Sequence, residues 1–288
     1  MHIKFPLNDL NRTITTIKGI VGGIRVLQHK KQIRMRSTRH YLSLIIQKAA
    51  ADLISEARRG YLGVLWWVIE PVIYMSVFYL IFVVVFDRGG EDHVAFLLTG
   101  LVVWKWFAAS IPQCANCISA NVGLIRQVYI PKYVFPAMVV TNSTMKFLIV
   151  FVLLLLFLIF TGKSPSVVWF ALPVLMGLQL LVMLAIGSVL SAIVPFVPDL
   201  KLLIDNGMTL LFFMSGIFFD ISSASPELKT YLYLNPMAGI IDNYRAVLLD
   251  GVWPDWPLLG TVFSVSLPGL ALGWYLLRRF DRTFIKVI

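Results

Sequence analysis

Histidine, cysteine and lysine are the residue types in this chain that could support metal, redox or phosphate chemistry. The four histidines are scattered, and three of them precede residue 41, which excludes a local metal-binding cluster. Cys114 and Cys117 form one C-x-x-C pair without further candidate ligands, and we predict that they only pack. Gly162-Lys163-Ser164 matches the end of a phosphate-binding loop, but Phe157 stands where that motif needs glycine. The sequence therefore indicates no catalytic residue, no metal site and no ATP site.

A second chemically interesting group lies in the apolar segment LWWVIEPVIYMS, residues 65–76. If this segment is helical, one face of the helix carries four residues within about 60° of one another: Trp67, Pro71, Tyr74 and, just after the segment, Phe78. Glu70 flanks this aromatic face. One interpretation makes the tryptophans an interfacial belt and Glu70 a neutralised or ion-paired anchor. The other makes the face part of a translocation path, because aromatic rings suit the apolar faces of sugars.

The composition predicts that transmembrane helices position these residues. The 288 residues are 58% hydrophobic and only 14% charged, and the mean hydropathy is +0.81. This is more apolar surface than a soluble domain could bury, so the sequence predicts an all-α polytopic membrane protein. A bilayer needs roughly 20 apolar residues per helix. Runs of that length predict six transmembrane helices at about 64–86, 94–112, 134–160, 167–195, 201–219 and 256–277.

The distribution of lysine and arginine predicts the orientation. With both termini in the cytoplasm, 19 of the 25 basic residues lie on the cytoplasmic side and 4 lie outside. The remaining two, Lys105 and Lys146, fall within spans. This asymmetry follows the positive-inside rule. The net charge of +10 is thus an orientation signal and an attraction to anionic lipid, and it gives no reason to expect nucleic-acid binding.

Two further regions lie outside the predicted spans. Residues 1–40 form a basic cytoplasmic arm without the apolar run of a signal peptide. Residues 41–57 have apolar positions at helical spacing and predict an amphipathic helix along the inner membrane surface or, alternatively, packed on other cytoplasmic residues. Residues 58–288 then form the transmembrane domain.

The segment 220–255 is too long and too apolar for a simple outer loop. It predicts two short helices, at about 226–234 and 237–249, split at Asn235-Pro236. On the second helix, Asp242 and Arg245 are spaced to pair at i, i+3, or else merely to solubilise an outer cap. In the last span, Gly269 and Gly273 form a G-x-x-x-G pattern, which suggests close helix packing.

Three stretches together resemble a known family. They are LGVLWWVIEPVIYMSVFYLIF (62–82), NVGLIRQVYIPKYVFP (121–136) and LNPMAGIIDNYRAVLLDG (234–251). In this order, relative to six spans, the chain resembles the membrane subunit of ABC-2 type exporters. It is most similar to permeases that export O-antigen, capsule and teichoic acid.

The resemblance implies partners that supply what the chain lacks. It implies a homodimer in the lipid bilayer, two copies of a separate ABC ATPase that binds ATP and Mg²⁺, and no cofactor in this chain. The surface helix 41–57 and the cytoplasmic coupling loop 113–133 would face the ATPase. The implied coupling residues are Asn121, Leu124, Ile125, Arg126, Gln127, Tyr129, Pro131 and Lys132. From the residues alone, this stretch predicts a short amphipathic helix stopped by Pro131, with Arg126 and Lys132 available for pairing; an ordinary interfacial connector is the alternative.

The resemblance also implies a path and a gate. The path would run between the two permease copies, and its hypothetical lining is Trp67, Glu70, Tyr74, Phe78, Trp104, Trp106 and Phe107. The short helices of 220–255 would re-enter the outer leaflet as a periplasmic gate that includes Asn235, Pro236, Asp242, Tyr244 and Arg245.

We therefore expect a non-enzymatic permease subunit in the cytoplasmic membrane of a bacterium, exporting a lipid-linked polysaccharide of O-antigen or capsule type. Two alternatives remain open at this point. The same architecture could export teichoic acid, another lipid, a drug or a peptide. An intramembrane glycan-processing enzyme is disfavoured, because the longest outer segment contains no histidine.

Overall fold

The computed structural model of the chain describes residues 43–55, 63–81, 91–127, 129–281 and 283–284. The chain divides into two compact units, Met1–Gln47 and Lys48–Ile288. Residues 43–47 are the described part of the first unit, and they are helical. All features discussed below belong to the second unit. The basic arm predicted at 1–40 lies outside the described residues. Within the predicted surface helix 41–57, residues 43–55 are helical, and its membrane location stays a prediction.

The described residues form helices joined by turns and loops and contain no β-strand, which confirms the all-α fold. The α-helices are α1 (43–55), α2 (Trp66–Tyr79), α3 (Glu91–Ala120), α4 (Val122–Gln127), α5 (Val134–Phe160), α6 (Leu172–Ile193), α7 (Leu200–Met214), α8 (Pro226–Leu232), α9 (Pro236–Arg245) and α10 (Trp256–Arg279).

Four described segments are long and apolar enough to cross a membrane: Asp92–Gln127, Val134–Phe160, Val167–Ile193 and Trp256–Arg279. They coincide with predicted spans two, three, four and six, which confirms a polytopic membrane protein. The helices at the places of spans one and five, α2 and α7, have 14 and 15 residues. Both are shorter than the roughly 20 residues that a bilayer requires. The total of six spans therefore stays a prediction.

Helix α3 extends beyond the predicted second span. The sequence predicts that span at 94–112, followed by a loop at 113–133, whereas α3 continues through Pro112 to Ala120. A proline removes one backbone hydrogen bond, and tightly packed neighbouring helices tolerate such a loss. The first part of the predicted coupling loop is therefore helix, and α4 follows it almost at once. We call residues 121–132 the connector.

Contacts at opposite ends of α3 establish how the helices run. Near the beginning of α3, Asp92 forms an ion pair of 2.8 Å with Lys163, in the turn after α5. Beyond the end of α3, the Tyr129 hydroxyl donates to the Asp281 carboxylate, just after α10, at 2.8 Å. Because α3 has 30 residues, these two contacts lie at opposite ends of the bundle. The connector and the residues that follow α10 therefore share one end.

Small residues allow three helices to approach closely. A Cβ atom added to Gly273 of α10 would lie 2.6 Å from the Cβ atom of Ser188 in α6, and one added to Gly269 would lie 3.4 Å from that of Ala185. The predicted G-x-x-x-G contact is thus present, with α6 as its partner. A Cβ atom on Gly187 of α6 would lie 2.9 Å from the Cys114 sulfur of α3. Both cysteines are buried free thiols, as expected for packing residues.

The two short helices predicted within 220–255 are present. The side chains of Ser225 and Asn235 accept hydrogen bonds from the first turns of α8 and α9, and a proline occupies the first position of each helix. Five residues of π-helix, Ala246–Asp250, extend α9. Asn235 caps α9 and Pro236 begins it, so the start of this helix is predictable from the sequence, whereas α8 already ends at Leu232.

Candidate functional site

A cavity of about 350 Å³ lies between α2, α3 and α5, within the apolar part of the bundle. Its lining includes three side chains with ionisable groups. Its lining consists of Glu70, Leu101, Val102, Lys105, Trp106, Ala108, Ala109, Gln113, Ser143, Lys146, Phe147 and Val150. Ionisable residues within membrane segments are costly and usually mark functional sites.

An ion pair crosses the cavity. The Lys105 ammonium of α3 contacts the Glu70 carboxylate of α2. This contact agrees with the interpretation of Glu70 as an ion-paired anchor. It also places Glu70 at the cavity wall, and its role in a path between two copies stays a prediction. Lys146 of α5 lines the same cavity, so the lining carries two ammonium groups and one carboxylate.

Further polar side chains in and next to the cavity lie on α3 and α5. The hydroxyl oxygens of Ser110 and Ser143 are 2.6 Å apart and join these two helices. The Trp106 ring stacks on Phe147, with ring centres 4.0 Å apart. Its indole N–H is buried and has no acceptor among the described residues. Because this nitrogen has almost no accessible surface, it does not face the cavity.

The structure brings together only part of the predicted path. Trp106 and Glu70 line the cavity, whereas Trp104 and Phe107 are buried in the core of the bundle, where Trp104 contacts Phe107 and Phe212. Trp104 and Phe107 are therefore core residues of the single chain, and their place on a path between two copies stays a prediction. Adjacent residues of a helix point in different directions, and the apolar face of α3 turns these two inward. The side chains of Trp67, Tyr74 and Phe78 lie outside the described residues.

Sequence reasoning missed Lys105, Gln113 and Lys146 as site residues. A usable signal was present, because both lysines fall within predicted spans. Lys105 and Gln113 are also eight residues apart, a spacing that places them on one helix face. Combining the two observations would have pointed to a polar face on α3.

At the end of the bundle that holds the connector, Lys132 is completely buried. Its ammonium donates to the Ile130 carbonyl at 3.1 Å and lies 3.7 Å from the Asp281 carboxylate. Tyr129 donates to the other oxygen of the same carboxylate. The sequence predicts that Lys132 is available for pairing. In the structure its partner is Asp281 of the same chain, and a contact of Lys132 with the ATPase stays a prediction.

The rest of the connector presents an exposed surface. The helix predicted before Pro131 is present as α4, which ends at Gln127 and buries Ile125. Arg126, Gln127 and Tyr129 are exposed, whereas Asn121, Leu124 and Pro131 are half-buried. Beside the connector end, Phe196 packs on Phe280 and Phe284, with ring centres 5.2 Å apart in both pairs. The connector and the chain after α10 are thus held together by polar and aromatic contacts.

The Arg245 side chain anchors α9 to two other helices. Its guanidinium donates to the carbonyls of Phe96 at 3.2 Å, Gly216 at 2.6 Å and Ile217 at 2.9 Å. Its central carbon lies 3.4 Å from the centre of the Phe96 ring. Burial lowers the pKa of this guanidinium to about 9, and nearby aspartates oppose the shift, so it is charged at neutral pH. The beginning of α3, the end of α7 and α9 therefore meet at one side chain.

The predicted direct pair between Asp242 and Arg245 is replaced by other contacts. The Asp242 carboxylate accepts from the Tyr233 hydroxyl of α8 at 2.9 Å, while Arg245 turns to the carbonyls. Burial raises the pKa of the Asp242 carboxyl, and the Tyr233 hydrogen bond opposes that shift. Tyr244 and Arg245 are buried, so these residues do not solubilise an outer cap. Asn235 donates to the Ser215 hydroxyl at 2.8 Å and fixes the beginning of α9.

Comparison with known proteins identifies the family. The model of the ABC-2 type transporter family matches residues 45–249. The chain belongs to the ABC-2 type transporter family. The O-antigen export system permease protein RfbA of Myxococcus xanthus is 29% identical, with 81% of this chain and 90% of that protein covered. RfbA of Klebsiella pneumoniae is 26% identical, with 89% and 99% covered.

A polysialic acid transport protein is also similar to this chain. The polysialic acid transport protein KpsM of Escherichia coli is 25% identical to this chain, with 78% of the chain and 88% of KpsM covered. The ABC-2 family match includes the cavity, the connector and α8–α9, and it ends before α10. The cavity, the connector and α8–α9 therefore all lie within the part of the chain that matches the family, whereas Asp281 lies after it.

Proposed function

We propose that this ABC-2 protein is the permease subunit of an ATP-driven exporter that moves a lipid-linked polysaccharide across the bacterial cytoplasmic membrane. One observation carries the proposal: the match to the Klebsiella O-antigen export permease covers 89% of this chain and 99% of that protein. The matched chains thus have nearly the same extent. The match to a polysialic acid transport protein supports a polysaccharide as the cargo.

In this proposal, a separate subunit binds ATP. The Gly162-Lys163-Ser164 sequence lacks the first glycine of a phosphate-binding loop. An ABC ATPase, present in two copies with ATP and Mg²⁺, would supply the energy. Both termini would face the cytoplasm. Two observations support this orientation: the excess of basic residues on the predicted cytoplasmic side, and the contact of Asp281 with the connector.

The connector would receive the motion of the ATPase. Its exposed residues Arg126, Gln127 and Tyr129 offer a docking surface, and Tyr129 and Lys132 both contact Asp281. Asp281 directly follows α10, which packs closely on α6 through Gly273. A displacement of the connector would thus reach α10 and α6 without a flexible link between them.

The exposed surface of α7 supports a homodimer in which the translocation path runs between the two copies of the chain. None of the residues of α7 is buried, although the helix carries large apolar side chains and Asp205. A carboxylate facing lipid is costly. A second copy, or a water-filled path between the copies, would solvate Asp205 and cover the apolar side chains. On the outer side, α8 and α9 would form the gate, with Arg245 holding them to α3 and to the end of α7.

Copurification tests the proposal. The chain, tagged and expressed with the ABC ATPase encoded beside it, should retain that ATPase through affinity and size-exclusion steps, and the complex should hydrolyse ATP. A variant in which Arg126 and Gln127 are both replaced by alanine should retain less ATPase. The control is Lys163→Gln, at the opposite end of the bundle, which should retain as much ATPase as the unmodified chain. A chain that binds no ABC ATPase would contradict the proposal.

A further inference from the structure

Helix α10, which is long and apolar enough to cross a membrane, carries an exposed tryptophan near each end. Trp256 begins the helix, and Trp274 follows it by 18 positions. At 1.5 Å per residue, the two lie about 27 Å apart along the helix, close to the roughly 30 Å of a bilayer core. Exposed tryptophans of transmembrane helices are enriched at the two membrane–water interfaces. Trp274 therefore marks the level at which α10 leaves the hydrocarbon.

Two arginines follow directly, on the side of α10 that faces away from the bundle. The bundle side packs on α6 through Gly273. At 100° per residue, the opposite side carries four exposed residues within about 140° of one another. They are Trp274, Tyr275, Arg278 and Arg279, which we call the aromatic–basic band. Each arginine follows one of the aromatic residues by four positions and therefore lies above it on the helix surface.

The guanidinium groups of this band have unused hydrogen-bond donors. The central carbon of Arg278 lies 3.5 Å from the centre of the Trp274 ring, so this side chain leans back toward the membrane. Within the part of the chain that the structure describes, neither Arg278 nor Arg279 forms an ion pair or donates a side-chain hydrogen bond. The planar guanidinium group matches the oxygen atoms of a phosphate group, which it can bind through two parallel hydrogen bonds.

We infer that the aromatic–basic band binds an anionic phospholipid, with its phosphate on Arg278 and Arg279 and its acyl chains beside Trp274. The headgroup must be anionic, because two positive charges without a paired carboxylate favour a net negative charge over a zwitterion. A lipid fits better than an acidic protein surface, because Arg278 lies on Trp274 at the level of the membrane interface. The inference requires that α10 spans a bilayer and does not depend on the cargo or the ATPase.

A lysine at the same end of the bundle separates a defined site from general attraction to an anionic surface. Lys201 is exposed at the beginning of α7, just after Phe196, which packs on Phe280 beyond the end of α10. Four positions before Lys201 stands Val197, so this lysine lacks the aromatic neighbour that both arginines have. General attraction gives every exposed cation at this end a similar effect. A defined site confines the effect to α10.

Tryptophan quenching in lipid nanodiscs tests the inference. The purified chain, in phosphatidylcholine nanodiscs, receives a small fixed fraction of phosphatidylglycerol with brominated acyl chains, which quench the tryptophans that they contact. Brominated phosphatidylcholine at the same fraction measures unselective contact. We expect phosphatidylglycerol to quench more. Arg278→Gln and Arg279→Gln should each lower this preference about fivefold, and the double variant more than tenfold, whereas Lys201→Gln should leave it unchanged.

Two further variants locate the lipid and exclude misfolding. Trp274→Phe keeps an aromatic ring but removes one of the eight tryptophans, so the selective quenching should largely disappear. Replacement of both arginines by lysine keeps the charges and should retain more of the preference than replacement by glutamine. Equal quenching by the two brominated lipids would overturn the inference. Selective quenching that persists in Trp274→Phe, or that falls equally in Lys201→Gln and Arg278→Gln, would overturn it as well.

Soluble phosphate and the ATPase are the other partners that the experiment distinguishes. Glycerol phosphate lacks acyl chains and should not displace the brominated phosphatidylglycerol; displacement would contradict a lipid site. The double glutamine variant should retain the ABC ATPase as well as the unmodified chain does. Loss of the ATPase with an unchanged lipid preference would assign the arginines to a protein partner and overturn the inference. Failure of the unmodified chain to bind an ATPase would contradict only the proposed function.

Discussion

The ammonium of buried Lys132 lies 3.7 Å from the carboxylate of Asp281, and this pair joins the connector to the residues that follow α10. The Tyr129 hydroxyl binds the same carboxylate. Separating the two segments would take this carboxylate away from the buried Lys132 ammonium, so the ion pair ties the segments together. The connector is therefore part of the bundle and is not a free loop.

Asp281→Asn should uncouple ATP hydrolysis from export. The amide can still accept from Tyr129, but the charge opposite Lys132 is lost, at a cost on the order of 3 kcal/mol. We expect ATP hydrolysis by the permease–ATPase complex to persist while export per ATP falls. Asp199→Asn removes an exposed carboxylate before α7 and serves as the control. If both variants export equally well, the Lys132–Asp281 pair does not transmit motion.

The sequence predicted several local features because their determinants are close together along the chain. Asn235-Pro236 marks the start of α9, and the G-x-x-x-G spacing of Gly269 and Gly273 leaves a flat face on α10. Continuous apolar runs likewise placed the four long helices. Each of these signals is contained within a few turns of one element.

The polar contacts between distant segments could not be predicted in this way. The partner of Lys132 lies far along the chain, and the ion pair of Lys105 with Glu70 depends on how α2 packs against α3. Hydropathy also gave no reason for α3 to continue past Pro112, because only packing compensates for the lost hydrogen bond. Likewise, the inward direction of Trp104 depends on which face of α3 meets α7.

Gly273→Ala should destabilise the contact between α6 and α10. The new methyl group would lie 2.6 Å from the Ser188 Cβ atom and 3.0 Å from the backbone of α6, so the helices must separate. We expect a loss of about 1–3 kcal/mol, seen as a lower unfolding temperature in detergent. Gly260→Ala on the same helix meets no atom within 4 Å and is the matched control. Equal unfolding temperatures for the two variants would show that the close contact is absent.

Arg245→Met should loosen α9 from α3 and from the end of α7. The substitution leaves three carbonyls without their donor, at a cost of about 3 kcal/mol or more. Cysteine accessibility or hydrogen exchange across Pro236–Arg245 should increase. Lys229→Met, which removes a positive charge from neighbouring α8, should leave that exchange unchanged. Undiminished protection in the Arg245 variant would refute the anchoring role.

Trp67→Ala and Tyr74→Ala test the aromatic face predicted for the first span. If sugar rings pass this face by stacking, both variants should reduce surface glycan severalfold while binding the ATPase normally. Trp66→Ala, at the adjacent and exposed position, is the control. Normal amounts of surface glycan in the Trp67 and Tyr74 variants would eliminate the stacking model.

Reconstituted transport tests the central claim most directly. Proteoliposomes would contain this chain, its ABC ATPase and a lipid-linked polysaccharide. The assay would measure how much of the glycan an externally added glycosidase can cleave, since movement across the membrane changes that amount. We predict that glycan changes sides only when ATP, the ATPase and this chain are all present, and that an ATPase unable to hydrolyse ATP abolishes the movement. Equal movement without the ATPase, or none in the complete ATP-hydrolysing system, would contradict a polysaccharide permease driven by a separate motor.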